Sequence, residues 1–287
     1  MNPQIQHISR LLDDDDPGIR RILMDTLLEH SLDIIFRKDE YLTEMGENSR
    51  NKFADFLTEN HFTIVQKALS NLMSTCLEDI DLESAAVIIS YWKNPQIIGR
   101  EITEQLDEIA QRVERNMPDS GHPLGFIDHI NDVLFRELGF RGNTTDYYNP
   151  ENSFLYNVIN TKKGIPITIS LVYLLTAKRI GLPILGVPMP AHFIVKYESR
   201  DDEVFFDPYA RGKIYSRKDC IEYLKNAYVE NPENVLSGCN NYDIVLRILN
   251  NIQLVYSSYT DNPQMREEAE KLYSLVEQFF NESSSNS

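Results

Sequence analysis

His192 opens an alternating run, His192-Phe193-Ile194-Val195-Lys196-Tyr197, and Asp207 lies near the end of a second, Glu203-Val204-Phe205-Phe206-Asp207-Pro208, with the polar tip Glu198 to Asp202 between them. Two alternating runs joined in this way predict a β-hairpin. With its turn centred near Arg200 and Asp201, His192 falls diagonal to Asp207 on one face, within reach of an imidazole–carboxylate hydrogen bond. A histidine oriented by an aspartate is the base half of a nucleophilic triad, in which the carboxylate fixes the tautomer and stabilises the imidazolium. The same pair also serves as a plain structural hydrogen bond, and spacing alone leaves both roles open.

A nucleophile is harder to find. Cys76, Cys220 and Cys239 are odd in number and lack paired spacing, which argues against a disulfide framework and against a CxxC metal or redox site. Cys76 falls in a helical stretch, Cys220 in a helix after the hairpin and Cys239 in a loop, and all three read as packing or surface thiols. His122 and His129, seven apart across a helix start, have no third ligand at a suitable interval, so no metal is expected, and no cofactor motif appears. The run Asp13 to Asp16 lacks the ligand spacing of a calcium loop and reads as a helix cap in water. Arg211, Lys213, Arg217 and Lys218 form a small basic patch after Asp207 that either greets an acidic ligand or pairs with nearby carboxylates.

The elements that hold these residues are mostly helical. From Ile5 to about Met117 the apolar period is close to 3.6, with almost no strand-like alternation. Residues 4–30, comprising Ile5 to Leu12, the acidic turn and a helix from Pro17 with a stripe of Ile19, Ile22, Leu23, Met24, Leu27 and Leu28, read as a HEAT-like hairpin. Further helices are expected at Phe62 to Cys76, Leu82 to Trp92, Gln96 to Asn116 and Phe126 to Leu138. Charged residues from Glu101 to Arg115 mark a solvated face. A turn-rich stretch around Met117 to Gly121 places a boundary that gives a helical N-terminal part, residues 1–118, and a core, residues 119–230. In the core, Asn149 and Pro150 start a helix containing Phe154, Leu155, Val158 and Ile159. Thr168 to Ile180, apolar all round and stopped by Gly181, reads as the central buried helix. Residues 240–282 read as a tetratricopeptide-like helical pair around Asn262 and Pro263, and Ser283 to Ser287 as a disordered tail.

Composition bounds the partners. The 287 residues carry 28 basic against 44 acidic side chains, a net charge of −16 that repels phosphate backbones and anionic membranes. No apolar stretch approaches a bilayer span, and Met1-Asn2-Pro3-Gln4 lacks a signal-peptide start, so a cytoplasmic protein with neither nucleic-acid nor membrane partner is expected. No pattern sets an oligomeric state.

Several motifs occur in one order: Gly139-Phe140-Arg141-Gly142-Asn143, Asp146-Tyr147-Tyr148, Asn152-Ser153-Phe154-Leu155, Gly164-Ile165-Pro166-Ile167-Thr168, Gly181-Leu182-Pro183, Ala191-His192-Phe193 and Phe206-Asp207-Pro208. Together they resemble the transglutaminase-like superfamily, and within it the bacterial SirB-type branch, from about Ile80 onward. The resemblance implies an α+β fold related to papain, with a buried helix against a small antiparallel sheet. It also implies a Cys-His-Asp triad in which the cysteine begins the central helix, where the helix N-terminus favours a thiolate. His192 and Asp207 match two members, and counting back from Gly181 puts Pro166 at the third. Thr168 and Ser170 follow on the same helix; Thr168 points about 200° away from Pro166 at ~3.6 residues per turn, and Ser170 lies one turn deeper. Asn143, Tyr147, Tyr148 and Asn152 belong to the upstream motif and either line the cleft or fix its loop, with Thr168 a further lining candidate. The expected function is non-catalytic binding of a protein or peptide, with a regulatory role. The alternative is a hydrolase or acyl-transfer enzyme acting on peptides or amides through His192 and Asp207 without a cysteine.

Overall fold

The computed structural model describes residues 3–14, 16–75, 80–117 and 121–285. Asp15, Cys76, the boundary residues Pro118, Asp119 and Ser120, and the last two residues of the expected tail lie outside them. The chain forms two compact units, residues 1–102 with 274–287, and residues 103–273.

The first unit is helical, as its periodicity predicts. Its helices are α1 (Pro3–Leu12), α2 (Pro17–Glu29), α3 (Ser31–Glu44), α4 (Glu47–Glu59), α5 (His61–Thr75) and α6 (Leu82–Lys93). The Asp16 carboxylate caps α2 by accepting from the N–H groups of Gly18 and Ile19 at 2.7 and 3.2 Å, with Pro17 at the first helical position. The stripe of α2 is narrower than expected. Leu23 and Leu27 are buried, but Ile22 is 48% exposed because it lies on the side of the helix turned to water. Two helices, α3 and α4, fill a stretch whose polar residues conceal the period.

The second unit holds the sheet. Along the chain come α7 (Gly99–Glu114), α8 (Pro123–Asn131), a π-type turn at Asp132–Glu137, β1 (Arg141–Gly142), a 3-10 turn at Pro150–Ser153, α9 (Leu155–Thr161), β2 (Lys163–Gly164) and α10 (Pro166–Arg179). They are followed by β3 (Ile184–Val187), β4 (Ile194–Glu198), β5 (Glu203–Asp207), β6 (Lys213–Tyr215), α11 (Arg217–Asn226), α12 (Pro232–Leu236), α13 (Asn241–Ser258) and α14 (Pro263–Ser285), with α7 up to Ile102 and α14 from Ser274 belonging to the first unit. Two expectations are corrected here. Asn149 caps the 3-10 turn, and α9 starts only after the extended Phe154, which breaks the helical path. The tail expected to be disordered from Ser283 continues α14 to Ser285, since a long helix already formed adds further residues at little cost.

β3-β4-β5-β6 form an antiparallel sheet, and β4 pairs β5 in the hairpin register Val195↔Phe206 to Glu198↔Glu203. The alternation expected along β4 does not appear as alternating burial, because both faces are covered. Phe193, Ile194, Val195 and Lys196 are all buried. On one face Tyr173 of α10 meets Phe206 edge-on at 5.1 Å. On the other, Val187, Ile194 and Phe205 pack with Cys220, Leu224 and Leu236 of α11 and α12. Lys196 survives burial by pairing with Glu198 at 2.9 Å and Glu203 at 3.6 Å. The helix α10 is buried from Pro166 through Ala177 and is followed by Gly181 at φ +71°, a conformation that favours glycine. A central buried helix against a small antiparallel sheet makes this an α+β fold.

Candidate functional site

The start of α10 is fixed by side-chain chemistry. Thr168 Oγ1 accepts from the N–H of Ile165 at 3.1 Å and donates to the carbonyl of Asn152 at 2.7 Å. A side chain at Gly164 would meet that hydroxyl at 2.6 Å, so only glycine lets the chain enter the helix this way. Asn152 donates to the carbonyls of Asp146 and Tyr147 at 2.7 and 3.1 Å and accepts from Asn143 Nδ2 at 2.8 Å. The Asn143 oxygen in turn accepts from the Asp146 N–H at 3.3 Å. This buried network holds the loop that presents Tyr147 and Tyr148. Tyr147 meets Tyr148 edge-on at 5.2 Å, and Tyr148 stacks on Tyr259 with centroids 3.7 Å apart.

His192 sits just ahead of β4. Its Nε2 lies 2.7 Å from Asp207 Oδ2, while Oδ1 of the same carboxylate accepts from the N–H groups of Tyr209 and Ala210. Tying Nε2 to Asp207 leaves Nδ1 as the nitrogen free for other work. The Tyr209 ring flanks the imidazole edge-on at 6.1 Å, and Gly142 is needed beneath it because a Cβ there would lie 2.3 Å from that ring. Before His192 the chain turns sharply, with Ala191 at φ +52°. Arg247 of α13 clamps this turn: its Nη2 donates to the carbonyls of Met189 and His192 at 2.8 and 2.7 Å. Burial lowers the pKa of Arg247 and raises that of Tyr147.

Between these parts lies a cleft of about 400 Å³. Ile165, Pro166 and Ile167 line it from the start of α10, Tyr147 and Tyr148 from the loop, Ala191, His192 and Phe193 from the turn, and Arg247, Asn251 and Leu254 from α13. Pro166, His192, Tyr147 and Tyr148 thus lie around one cleft. Asn143, Asn152 and Thr168 do not line the cleft; they are buried behind its wall and hold it in place. Ser170 is fully buried, and its hydroxyl has no hydrogen-bond partner among the described residues.

The remaining candidates are scattered. Cys220 lines a separate cavity of about 170 Å³ with His192, Met189 and Tyr223, and burial chiefly pushes its thiol up to about 11, the opposite of what a nucleophile needs. Cys239 lies in a loop bridged to Gly186. His122 caps α8 by accepting from the N–H of Leu124, and His129 bonds the Val113 carbonyl, so the two do separate jobs. In the basic patch, Arg217 pairs with Glu203 and Glu233. The α13 residues Arg247, Asn251 and Leu254 are missed by sequence reasoning, where the helix reads as packing. The one signal available was a cation in the middle of its apolar run.

An imidazole held by a buried aspartate, sharing a cleft with the start of a buried helix that packs on a small antiparallel sheet, is the arrangement of the transglutaminase-like proteins. The model of the transglutaminase-like superfamily matches residues 100–250, and the chain belongs to that superfamily. It is 33% identical over 197 residues to mouse F-box only protein 21 and 32% identical over the same length to the human one, covering 57% of this chain in each case. The chain spans about a third of those relatives, 31% of their length. A UPF0162 protein of Xylella fastidiosa is 29% identical over 196 residues, covering 66% of this chain and 69% of that one. No solved structure gives a significant match. Among the described residues no helix is long and apolar enough to cross a membrane.

Proposed function

We propose that the chain is a non-catalytic, cytoplasmic member of the superfamily, of the SirB-type branch, that binds a protein or peptide in the cleft beside His192. The observation that carries this reading is Pro166, the first residue of α10, which lines the cleft with His192. In the transglutaminase-like pattern that position supplies the thiolate, and proline has no nucleophile. Among the described residues no cysteine lines the cleft. Its rim is apolar and open: Tyr147, Tyr148 and Leu254, with Tyr259 stacked alongside, are 38% to 52% exposed, as a surface that receives a partner requires. The two helices after Cys239 serve, in this reading, as tetratricopeptide-like interaction architecture, and residues 4–30 as a HEAT-like pair.

A second reading rests on the 2.7 Å bond between His192 and Asp207, which leaves Nδ1 available as a general base for a hydrolase or acyl-transfer reaction on peptides or amides. One experiment separates the two. The chain and its His192→Ala variant are incubated with a proteome-derived peptide library, and bound and free fractions are analysed by mass spectrometry. The binding reading expects peptides to be retained and recovered unchanged. Cleaved or cross-linked peptides that vanish with His192→Ala would replace it by the enzyme reading.

A further inference from the structure

Arg247 is surplus to a purely apolar cleft. Its Nη2 is committed to the Met189 and His192 carbonyls, but its Nε and Nη1 have no acceptor among the described residues. No carboxylate of the described residues pairs with it, although acidic side chains outnumber basic ones by 44 to 28 in this chain. Two other arginines of the same unit do find carboxylates, Arg179 at Asp107, 2.7 Å away, and Arg217 at Glu203. A half-buried guanidinium without counter-charge is an unfavourable arrangement that an incoming anion relieves. Its surroundings lean the same way. Among the described residues no acidic side chain lines the cleft, the first residues of α10, Pro166 and Ile167, form part of its wall, and Asp207 behind His192 already takes three donors. The lining also offers apolar surface in Ile165, Phe193 and Leu254, beside the polar groups of Tyr147, His192 and Asn251, and the guanidinium lies 5.8 Å from the Phe193 ring centroid.

A group that brings a carboxylate and an apolar side chain within one residue of each other is the last residue of a polypeptide. We propose that Arg247 gives this cleft a subsite for the C-terminal carboxylate of a peptide ending in an apolar residue. The subsite rests on the peptide-binding reading and names the part of the partner that enters.

The probes are fluorescein-labelled pentapeptide pools, randomised at the first four positions with Leu, Phe or Val last, made as free acids and as carboxamides, and a third carboxamide pool ending in Glu. Anisotropy titrations with the full chain are expected to show the free-acid pool binding about tenfold or more tighter than its carboxamide twin, as a charge-assisted bond provides. Arg247→Gln is expected to erase that ratio with its circular dichroism unchanged. Equal binding of acid and amide pools overturns the subsite and leaves peptide binding standing. Preference for the Glu-ended amide pool, or an acid preference that survives Arg247→Gln, also overturns it. Binding of no pool overturns the subsite and the peptide reading together. Should Arg247→Gln fail to fold, the charge-free Arg247→Met takes its place with the same expected loss of the ratio, and equal binding of acid and amide by the unmodified chain overturns the subsite by itself.

Discussion

Asp207 holds His192 with one oxygen and the turn after β5 with the other: Oδ2 lies 2.7 Å from Nε2, and Oδ1 accepts the N–H groups of Tyr209 and Ala210 at 2.9 and 3.2 Å. Removing the carboxylate therefore damages two structures, and removing the imidazole only one. Asp207→Asn is expected to cost about 2–3 kcal/mol, because one face of the amide meets its partners with the wrong polarity. His192→Ala is expected to cost about 1–2 kcal/mol, the price of leaving one buried oxygen short of a donor. Thermal unfolding followed by near-UV circular dichroism checks the order. A His192→Ala loss equal to that of Asp207→Asn would refute the division of labour.

Asn152 makes three side-chain hydrogen bonds while 4% exposed, two of them to the carbonyls of Asp146 and Tyr147. Asn152→Ala is expected to destabilise the chain by about 2–3 kcal/mol and to free the loop that carries Tyr147 and Tyr148. Hydrogen exchange should accelerate at Asp146 to Tyr148 beyond the change elsewhere, with peptide binding lost in parallel. Unchanged exchange there would remove Asn152 from the positioning of the rim.

The hairpin and its His192–Asp207 pair are legible from sequence because two runs around a polar tip allow few registers. The rest of the sheet is not. β3 and β6 have four and three residues, and β1 and β2 two each, too short for any period to emerge. Lys196 reads as the polar side of an alternating strand, yet it is buried, because helices cover both faces and Glu198 and Glu203 neutralise it. Asn143 and Asn152 are visible as motif residues, but only tertiary placement separates a cleft wall from the scaffold behind it. Arg247 belongs to the cleft through a contact with a turn 55 residues earlier in the chain, which no local pattern encodes.

Lys38 lies in the other unit, 5% exposed, with its ammonium donating to the Pro95 carbonyl and placed 5.4 Å from the Tyr91 ring centroid. Burial lowers its pKa from 10.5 to about 8, against the opposing pull of Glu101 and Asp39. Between those two values the unfolded chain binds more protons than the folded one, so stability rises with pH across that window and is lowest below it. From pH 7.5 to 9.5 the gain is expected to be about 1–2 kcal/mol. Cys220, whose thiol burial pushes up to about 11, acts in the opposite direction at the upper end, so the reference is Lys38→Met under the same conditions. Urea unfolding read by the single tryptophan, Trp92, which is buried in the same unit, should show a rise in the parent that is absent from Lys38→Met. Parallel pH profiles in the two proteins would assign the dependence elsewhere.

Pro166→Cys tests whether the first residue of α10 faces His192 as the cleft lining indicates. Proline at this position contributes through its preset φ and its missing N–H, which no helix bond requires, so its replacement is expected to cost only about 0.5–1 kcal/mol. The introduced thiol would meet the N–H end of a buried helix and an imidazole already oriented by Asp207, the two influences that favour a thiolate. Alkylation by iodoacetamide at pH 7 is expected to proceed about tenfold or more faster at this thiol than at Cys220 or Cys239, because a lowered pKa raises the thiolate fraction. Adding His192→Ala should remove most of that acceleration, since the imidazole is what the thiol would share its proton with. A thiol that folds in place but reacts no faster than Cys239 would mean that the position no longer meets the imidazole. The proline would then have to be explained by helix initiation alone.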